Sequence, residues 1–318
     1  MEKRKLNFEA SYSNISKYID SLYDGFVPNV YGRVRTTDHI NVIPDVKYTK
    51  VIPTVSESEG TFVTADSCSS FSNGATTSVT GVTLTAVYLK KEESFCLNEL
   101  EQYYFGQYMK RGSDQENLPF EQAFLENKMN VIAKRLDTMY WQGDANVGLT
   151  GEIAAAITAG AVSLTASAIG TGATAFGIST AVNNGIISTL DLMVDRLDAS
   201  LLDEEDLVLF VGRDVFDRYT RSIRNLNFYH ASPDEIRNGV TPLFGKNNIK
   251  LVATAGLNGT YKALLHKGSW IFWGTDLAPT DEPIKGEYSM YYDKYLLRYK
   301  VKIATGIAFG SKAVAINL

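Results

Sequence analysis

Apolar residues in the stretch Leu118–Trp141, LPFEQAFLENKMNVIAKRLDTMYW, recur at steps of three and four. They are Phe120, Phe124 or Leu125, Met129, Ile132, Leu136, and Met139 with Tyr140. That spacing draws one stripe along a helix of 3.6 residues per turn and predicts a long amphipathic rod. Asn117 can cap the first amides, Pro119 suits a first turn where its missing N–H is not needed, and Gly143 supplies the stop. Glu121 and Glu126 lie toward the positive end, and Lys134 and Arg135 toward the negative end. At 1.5 Å per residue the rod is roughly 36 Å long.

The pattern differs on either side. Residues 1–50 are poor in apolar positions beyond a short helical stripe (Ile15, Tyr18, Ile19, Leu22) and read as an arm that must lie along something else. Between Thr54 and Thr85, fifteen residues are Ser or Thr, and no Lys or Arg occurs between Lys50 and Lys90. Val82, Leu84, Ala86 and Tyr88 alternate with Thr83, Thr85 and Val87, which is a strand period. With Ser72-Asn73-Gly74 as the turn, residues 51–89 predict a two-stranded ribbon. Each arm would span roughly 50 Å, about the diameter of a compact body of this chain length. A ribbon of that kind is marginal alone in water, so it must fold back or rest on another molecule.

The remaining elements follow in order. KKEESFCLNELEQYYFGQYMKRG predicts a short helix before the rod, with Leu97, Leu100, Tyr104 and Tyr108 buried. An uncharged Ala/Gly/Thr-rich loop leads to a second helix from about Thr180 to Asp198, striped by Ile186, Leu190, Met193 and Leu197. Leu207–Val211 is a buried strand, Asp214 caps a helix through Arg224, and residues 225–247 form a loop. The end is β-rich: Ile249–Ala253, Tyr261–His266, Trp270–Trp273, and a long pair, Tyr288–Lys302 with Thr305–Ile316.

Composition excludes more than it assigns. In 318 residues with 45% hydrophobic content there is enough for a real core, and a net charge of −5 gives no nucleic-acid groove, only a small positive spot at Arg33 and Arg35. The start, MEKRKLNFEA, has no apolar core behind its basic residues and is not a secretory signal. Cys68 and Cys96 cannot form a disulfide framework, so reduced thiols are expected. The run Ile153–Leu190 lacks charge, but its glycines and acidic flanks argue against a membrane helix. The carboxylates Asp203–Asp206 lack the spacing of a calcium loop. Gly170–Gly177 lacks the following Lys-Ser or Lys-Thr of a phosphate cradle. His39, His230 and His266 have no metal-ligand spacing, and no Gly-x-Ser-x-Gly elbow supplies a nucleophile. Trp270, Phe272 and Trp273 read as core. No constellation carries catalysis, and neither metal nor cofactor is expected.

The ordered set of elements resembles the major capsid protein of tailed bacteriophages, the Hong Kong 97-type fold, an α+β architecture. The pieces that carry the resemblance are ENKMNVIAKRLDTMYWQGD, LVLFVGRDVFDRY and YYDKYLLRYKVKIATGIAFGSKAVAIN. It implies an N-terminal arm (1–50), an extended β-ribbon loop (51–89) lying on a neighbouring subunit, and a peripheral domain with its spine helix (90–145). An axial domain (146–284) and C-terminal strands returning to the peripheral domain (285–318) complete it. The implied function is a homo-oligomer of hexamers and pentamers in an icosahedral shell around double-stranded DNA. Such a shell is assembled in the host cytoplasm, with portal, scaffold or decoration proteins as partners and no membrane. Inter-subunit contacts are expected at Phe62, Phe71, Val82, Leu84, Arg33, Arg35, Tyr229 and His230, the two arginines touching a neighbour or the genome. Some family members join subunits through a Lys in the extended loop. This loop has none, so a non-covalent shell is expected, with a separate scaffold protein or none. The alternatives are an encapsulin-like nanocompartment shell and, from another class, a soluble α+β enzyme with a β-ribbon dimerisation arm.

Overall fold

A computed structural model describes residues 26–57, 76–96, 120–164, 185–226, 232–276, 283–292 and 294–317. The rod is there, as α2 (Phe120–Gln142), preceded in the chain by a short helix α1 (Phe26–Tyr31). Its predicted stripe is its buried face: Leu125, Met129, Ile132, Leu136, Met139 and Tyr140 are buried, joined by Ala133 and Trp141. Phe124 packs partly buried at the margin. Gly143 ends the helix with φ of 79°, a left-handed turn that a side chain would resist.

Two larger sheets share the body. In the first, β12 (Lys294–Ile307) is the common partner. It pairs antiparallel with β4 (Val87–Phe95), β10 (Ile271–Gly274) and β11 (Ile284–Ser289), and β1 (Asn41–Ile43) extends the sheet parallel to β10. The spine helix and α3 (Glu152–Thr158) pack on it, and one core joins Met129, Leu136, Tyr140 and Trp273 to Tyr295, Tyr299 and Ile303. The second sheet runs in the order β5 (Val162–Leu164), β13 (Val314–Ile316), β9 (Ala263–Lys267), β6 (Leu207–Gly212), β8 (Lys246–Thr254), β7 (Val240–Leu243). Strand β6 is buried along its whole length, as its unbroken apolar run requires of a central strand. Helices α4 (Gly185–Asp195) and α5 (Arg213–Asn225) close a separate core over this sheet through Leu190, Met193, Phe216 and Tyr219. The short helix α6 (Pro233–Asn238) follows, capped by Ser232 and Glu235 reciprocally.

A buried carboxylate ties three parts of the chain together. Asp137 on the spine accepts from Thr36 Oγ1 at 2.5 Å and from the Gly256 amide at 2.7 Å, and Trp141 Nε1 donates to the same Thr36 hydroxyl at 3.1 Å. Segment 35–39, the spine and the loop after β8 are thereby held in one arrangement.

Several local expectations change. The predicted loop 225–247 carries α6, β7 and the start of β8, and the Ala/Gly/Thr-rich stretch before α4 carries α3 and β5. Residues 90–95 are strand, not helix: Lys90 to Phe95 continue β4 against β12, and the charged residues pair laterally, Lys90 with Glu92 and Glu93 with both Lys91 and Lys128. Sheet pairing there overrides the helix propensity of Lys and Glu. The rest of that predicted helix lies outside the described residues. Asp214 does not cap α5; Gly212 occupies the cap position and the Asp214 carboxylate accepts from the Gly259 amide. The closing pair is also different. A turn at 290–292 splits Tyr288–Lys302, so β12 pairs with β11 before it, while Val314–Ile316 joins the other sheet between β9 and β5.

Glu152, at the start of α3, is fully buried beside Tyr140 and Gly306, and burial pushes its carboxyl pKa up to about 8. The unfolded chain therefore gives up this proton first as pH rises, and stability is lost between the ordinary carboxyl range and about pH 8. Glu152→Gln is expected to remove that loss. Urea unfolding from pH 5 to 8 should show wild type falling relative to the variant by more than about 1 kcal/mol, whereas parallel curves would contradict the assignment.

Candidate functional site

The feature that the body leaves unfinished is the ribbon. Strands β2 (Thr49–Glu57) and β3 (Thr77–Thr85) pair antiparallel from Thr49↔Thr85 to Glu57↔Thr77 and form a two-stranded sheet of their own. The paired part spans about 30 Å. Its two faces differ. On one, Ile52, Val82 and Leu84 face the body, and further out Thr54 bonds Thr80 (2.9 Å) and Ser56 bonds Ser78 (2.7 Å) through their hydroxyls. On the other, Val51, Val55 and Val79 are 60%, 55% and 68% exposed. A face of valines in water is the arrangement expected of a surface covered by a partner.

The root of the ribbon is rigidly built. Leu84 is fully buried against Val46, Phe272, Ala304 and Ala308. The Ala86 amide donates to the Tyr48 carbonyl at 2.7 Å, closing the two strands where they leave the body. Beside this plug, Lys302 of β12 donates to Asp276 at 2.9 Å, both nearly buried. The Lys302 ammonium also lies 5.8 Å from the ring centres of Tyr48 and Tyr88, one from each side of the ribbon's base. Tyr31 donates to the Lys302 carbonyl at 2.5 Å.

The residues expected at contacts fall differently. Phe62, Phe71, Tyr229 and His230, with the turn Ser72-Asn73-Gly74, lie outside the described residues. Val82 and Leu84 face the chain's own body, and Leu84 leaves no surface for a neighbour; its role is to anchor the ribbon. The exposed valines sit on the opposite face. The alternation Val51, Pro53, Val55 that marks them is visible in the sequence. Arg33 donates to Asn130 Oδ1 at 2.7 Å and Arg35 to the Asn238 carbonyl at 2.9 Å, both exposed.

Chemistry-bearing side chains have structural roles. His266 is buried with Nε2 2.9 Å from the Ala308 carbonyl, and burial lowers its pKa to about 4. Phe272 and Trp273 are core, and Trp273 stacks on Tyr140. In the acidic loop, Glu204 pairs with Lys267 and Asp206 accepts from the Ser269 amide. Among the described residues no His, Cys, Asp and Glu group is arranged to hold a metal ion, and no helix is long and apolar enough to cross a membrane. Gly170–Gly177 lies outside the described residues.

Comparison with solved structures decides the fold. A chain in "Satellite phage P4 procapsid including size determination (Sid) protein" superposes with a TM-score of 0.58, at 10% identity, over 99% of this chain and 93% of that one. A chain in "Capsid of empty GTA particle computed with C5 symmetry" gives 0.54 at 10% identity over 89% of each. "Mycobacterium phage Cain" gives 0.55 at 13% identity over 89% of this chain and 90% of that one. The chain has the fold of these capsid structures. No family model and no curated protein matches its sequence. The capsid-type fold thus persists where sequence identity is near background, held by topology.

The root pair gives a test. Asp276→Asn leaves Lys302 without its buried counter-charge and is expected to lower unfolding stability by about 3 kcal/mol in urea. The double variant Asp276→Asn/Lys302→Met, which removes both charges, should recover most of that loss. A single variant as stable as wild type would show that the pair does not hold the root.

Proposed function

We propose that the chain is the major capsid protein of a tailed bacteriophage, assembling through hexamers and pentamers into an icosahedral shell that encloses double-stranded DNA in the virion. The observation that carries this reading is the ribbon: two strands projecting from a packed body, hydroxyls on one face and exposed valines on the other. Such an element is marginal as an isolated unit. A neighbouring copy covers the valine face, and repetition of that contact around a ring builds a capsomer. Obligate interfaces of this type bury roughly 2,000–5,000 Å². The capsid-type fold supports the reading, since the neighbours named above as capsid and procapsid are assembled shells.

In this arrangement the spine helix with its sheet is the peripheral domain, and the six-stranded sheet with α4 and α5 is the axial domain. The subunits join without a covalent bond from the ribbon, which has no Lys between Lys50 and Lys90. The protein is a structural component with no catalytic role. Portal, scaffold or decoration proteins are its further partners.

Electron microscopy of the purified full chain tests the reading. Closed shells are expected from the wild type. Val51→Asp/Val55→Asp places charge on the covered face; it should leave the circular dichroism spectrum unchanged and raise the concentration needed for assembly by at least about 100-fold, equivalent to about 3 kcal/mol. Small oligomers from wild type at high concentration, or unchanged assembly by the variant, would refute it.

A further inference from the structure

Arg33, Arg35, Lys134 and Arg213 line a surface cavity of about 300 Å³ between the segment after α1, the spine helix and the loop at 253–258. The charges in it are poorly countered. Among the described residues no carboxylate forms an ion pair with Arg33, Arg35 or Lys134, and Arg213 has one, Asp217, on its Nε at 2.9 Å. Arg135 on the same helix, by contrast, is paired with Asp144 at 2.7 Å. The acid in the cavity wall, Asp137, is buried and turns its oxygens onto Thr36 and Gly256.

Arg33 and Arg35 are fixed by neutral groups, and Arg213 by one in addition to Asp217. Arg33 donates to the Asn130 side chain, Arg35 to the Asn238 carbonyl and Arg213 Nη2 to the Ile236 carbonyl at 2.8 Å. Two of them converge: a Cβ on Gly239 would lie 2.8 Å from Arg213 Nη1 and 3.3 Å from Arg35 Nη1. At Gly239 both are held by the carbonyls that end α6, Asn238 for Arg35 and Ile236 for Arg213, so among the described residues their charge is offset there only by neutral dipoles and Asp217. Several cationic donors around one cavity suit a tetrahedral group that accepts from several at once, more than a carboxylate, which one fork satisfies. The cavity is also too small for a strand or helix of a partner protein.

We propose that this cavity binds a phosphate group of a nucleic-acid backbone. Contacts of Arg and Lys to phosphate carry no base readout, so the binding is independent of sequence. It gives the shell interpretation, on which its biological setting rests, a fixed point of attachment for the enclosed DNA. The mild net charge of the whole chain keeps that attachment local.

The test is binding of a short labelled DNA duplex to purified subunits of the full chain, read by fluorescence anisotropy as salt is raised. With one phosphate held in the cavity, affinity should fall about 3- to 4-fold between about 50 and 200 mM salt. Arg35→Gln/Lys134→Gln should flatten the log–log salt slope by about 1, and exposed Lys134→Gln alone by less. Lys47→Gln, exposed and away from the cavity, should change nothing. An unchanged slope in the double variant overturns the proposal. So does displacement of the duplex by poly-glutamate more readily than by unlabelled DNA, which would assign the cavity to an acidic protein segment. Electron microscopy of the same samples separates the two readings: wild type that binds DNA through these residues but never forms shells upholds the phosphate site and removes only its setting.

Discussion

A two-stranded ribbon satisfies its inner backbone hydrogen bonds and little else. Among the described residues each of its strands has an outer edge unpaired, and the valine face is exposed. Unpaired edges and exposed β-branched surface are what natural proteins normally avoid or cover. Here the sequence does neither within the chain: the side turned to the body is apolar only at the root, then becomes a ladder of Thr and Ser hydroxyls. The ribbon meets its own body at one end, and on the reading proposed above another copy covers it along its length.

The body is arranged to hold that projection in place. Leu84 plugs into a small core of its own, separate from the two larger ones. Lys302 and Asp276 stand beneath it, on β12 and just after β10, so the ribbon's base is referred to the first sheet. That sheet is referred in turn to the spine helix, and Asp137 refers the spine to segment 35–39 and to the loop beyond β8. A partner pushing on the ribbon thus acts against the whole body rather than against a loose loop.

How much of this the sequence disclosed varied with the physics involved. The spine was legible because its stripe is long and its period unambiguous, from Leu125 to Tyr140. Strand β6 was legible because an unbroken apolar run of its length fits a buried central strand. Lys90–Phe95 was not, since its charges favour helix locally and only the partner strand β12 makes it extended. The final strands misled for the same reason: alternation tells which residues share a face but not which strand lies beside them, so Val314–Ile316 was placed in the wrong sheet. At the ribbon the period was right, but which face meets the body was not in it. Val82 and Leu84 share a face by alternation, and only the fold shows Leu84 packed into the body with Val82 partly buried beside it. The convergence of Arg35 and Arg213 on Gly239, 178 and 204 positions apart from Arg35 in the chain, has no local signal at all.

The central claim is that the ribbon gains its protection from another copy. Amide hydrogen exchange at residues 49–57 and 77–85, compared between dissociated subunits and assembled particles, measures this directly. The account requires fast exchange in the subunit and slowing of at least about 100-fold in the particle, with strand β6 protected in both. Ribbon amides as protected in the dissociated subunit as in the particle would contradict it.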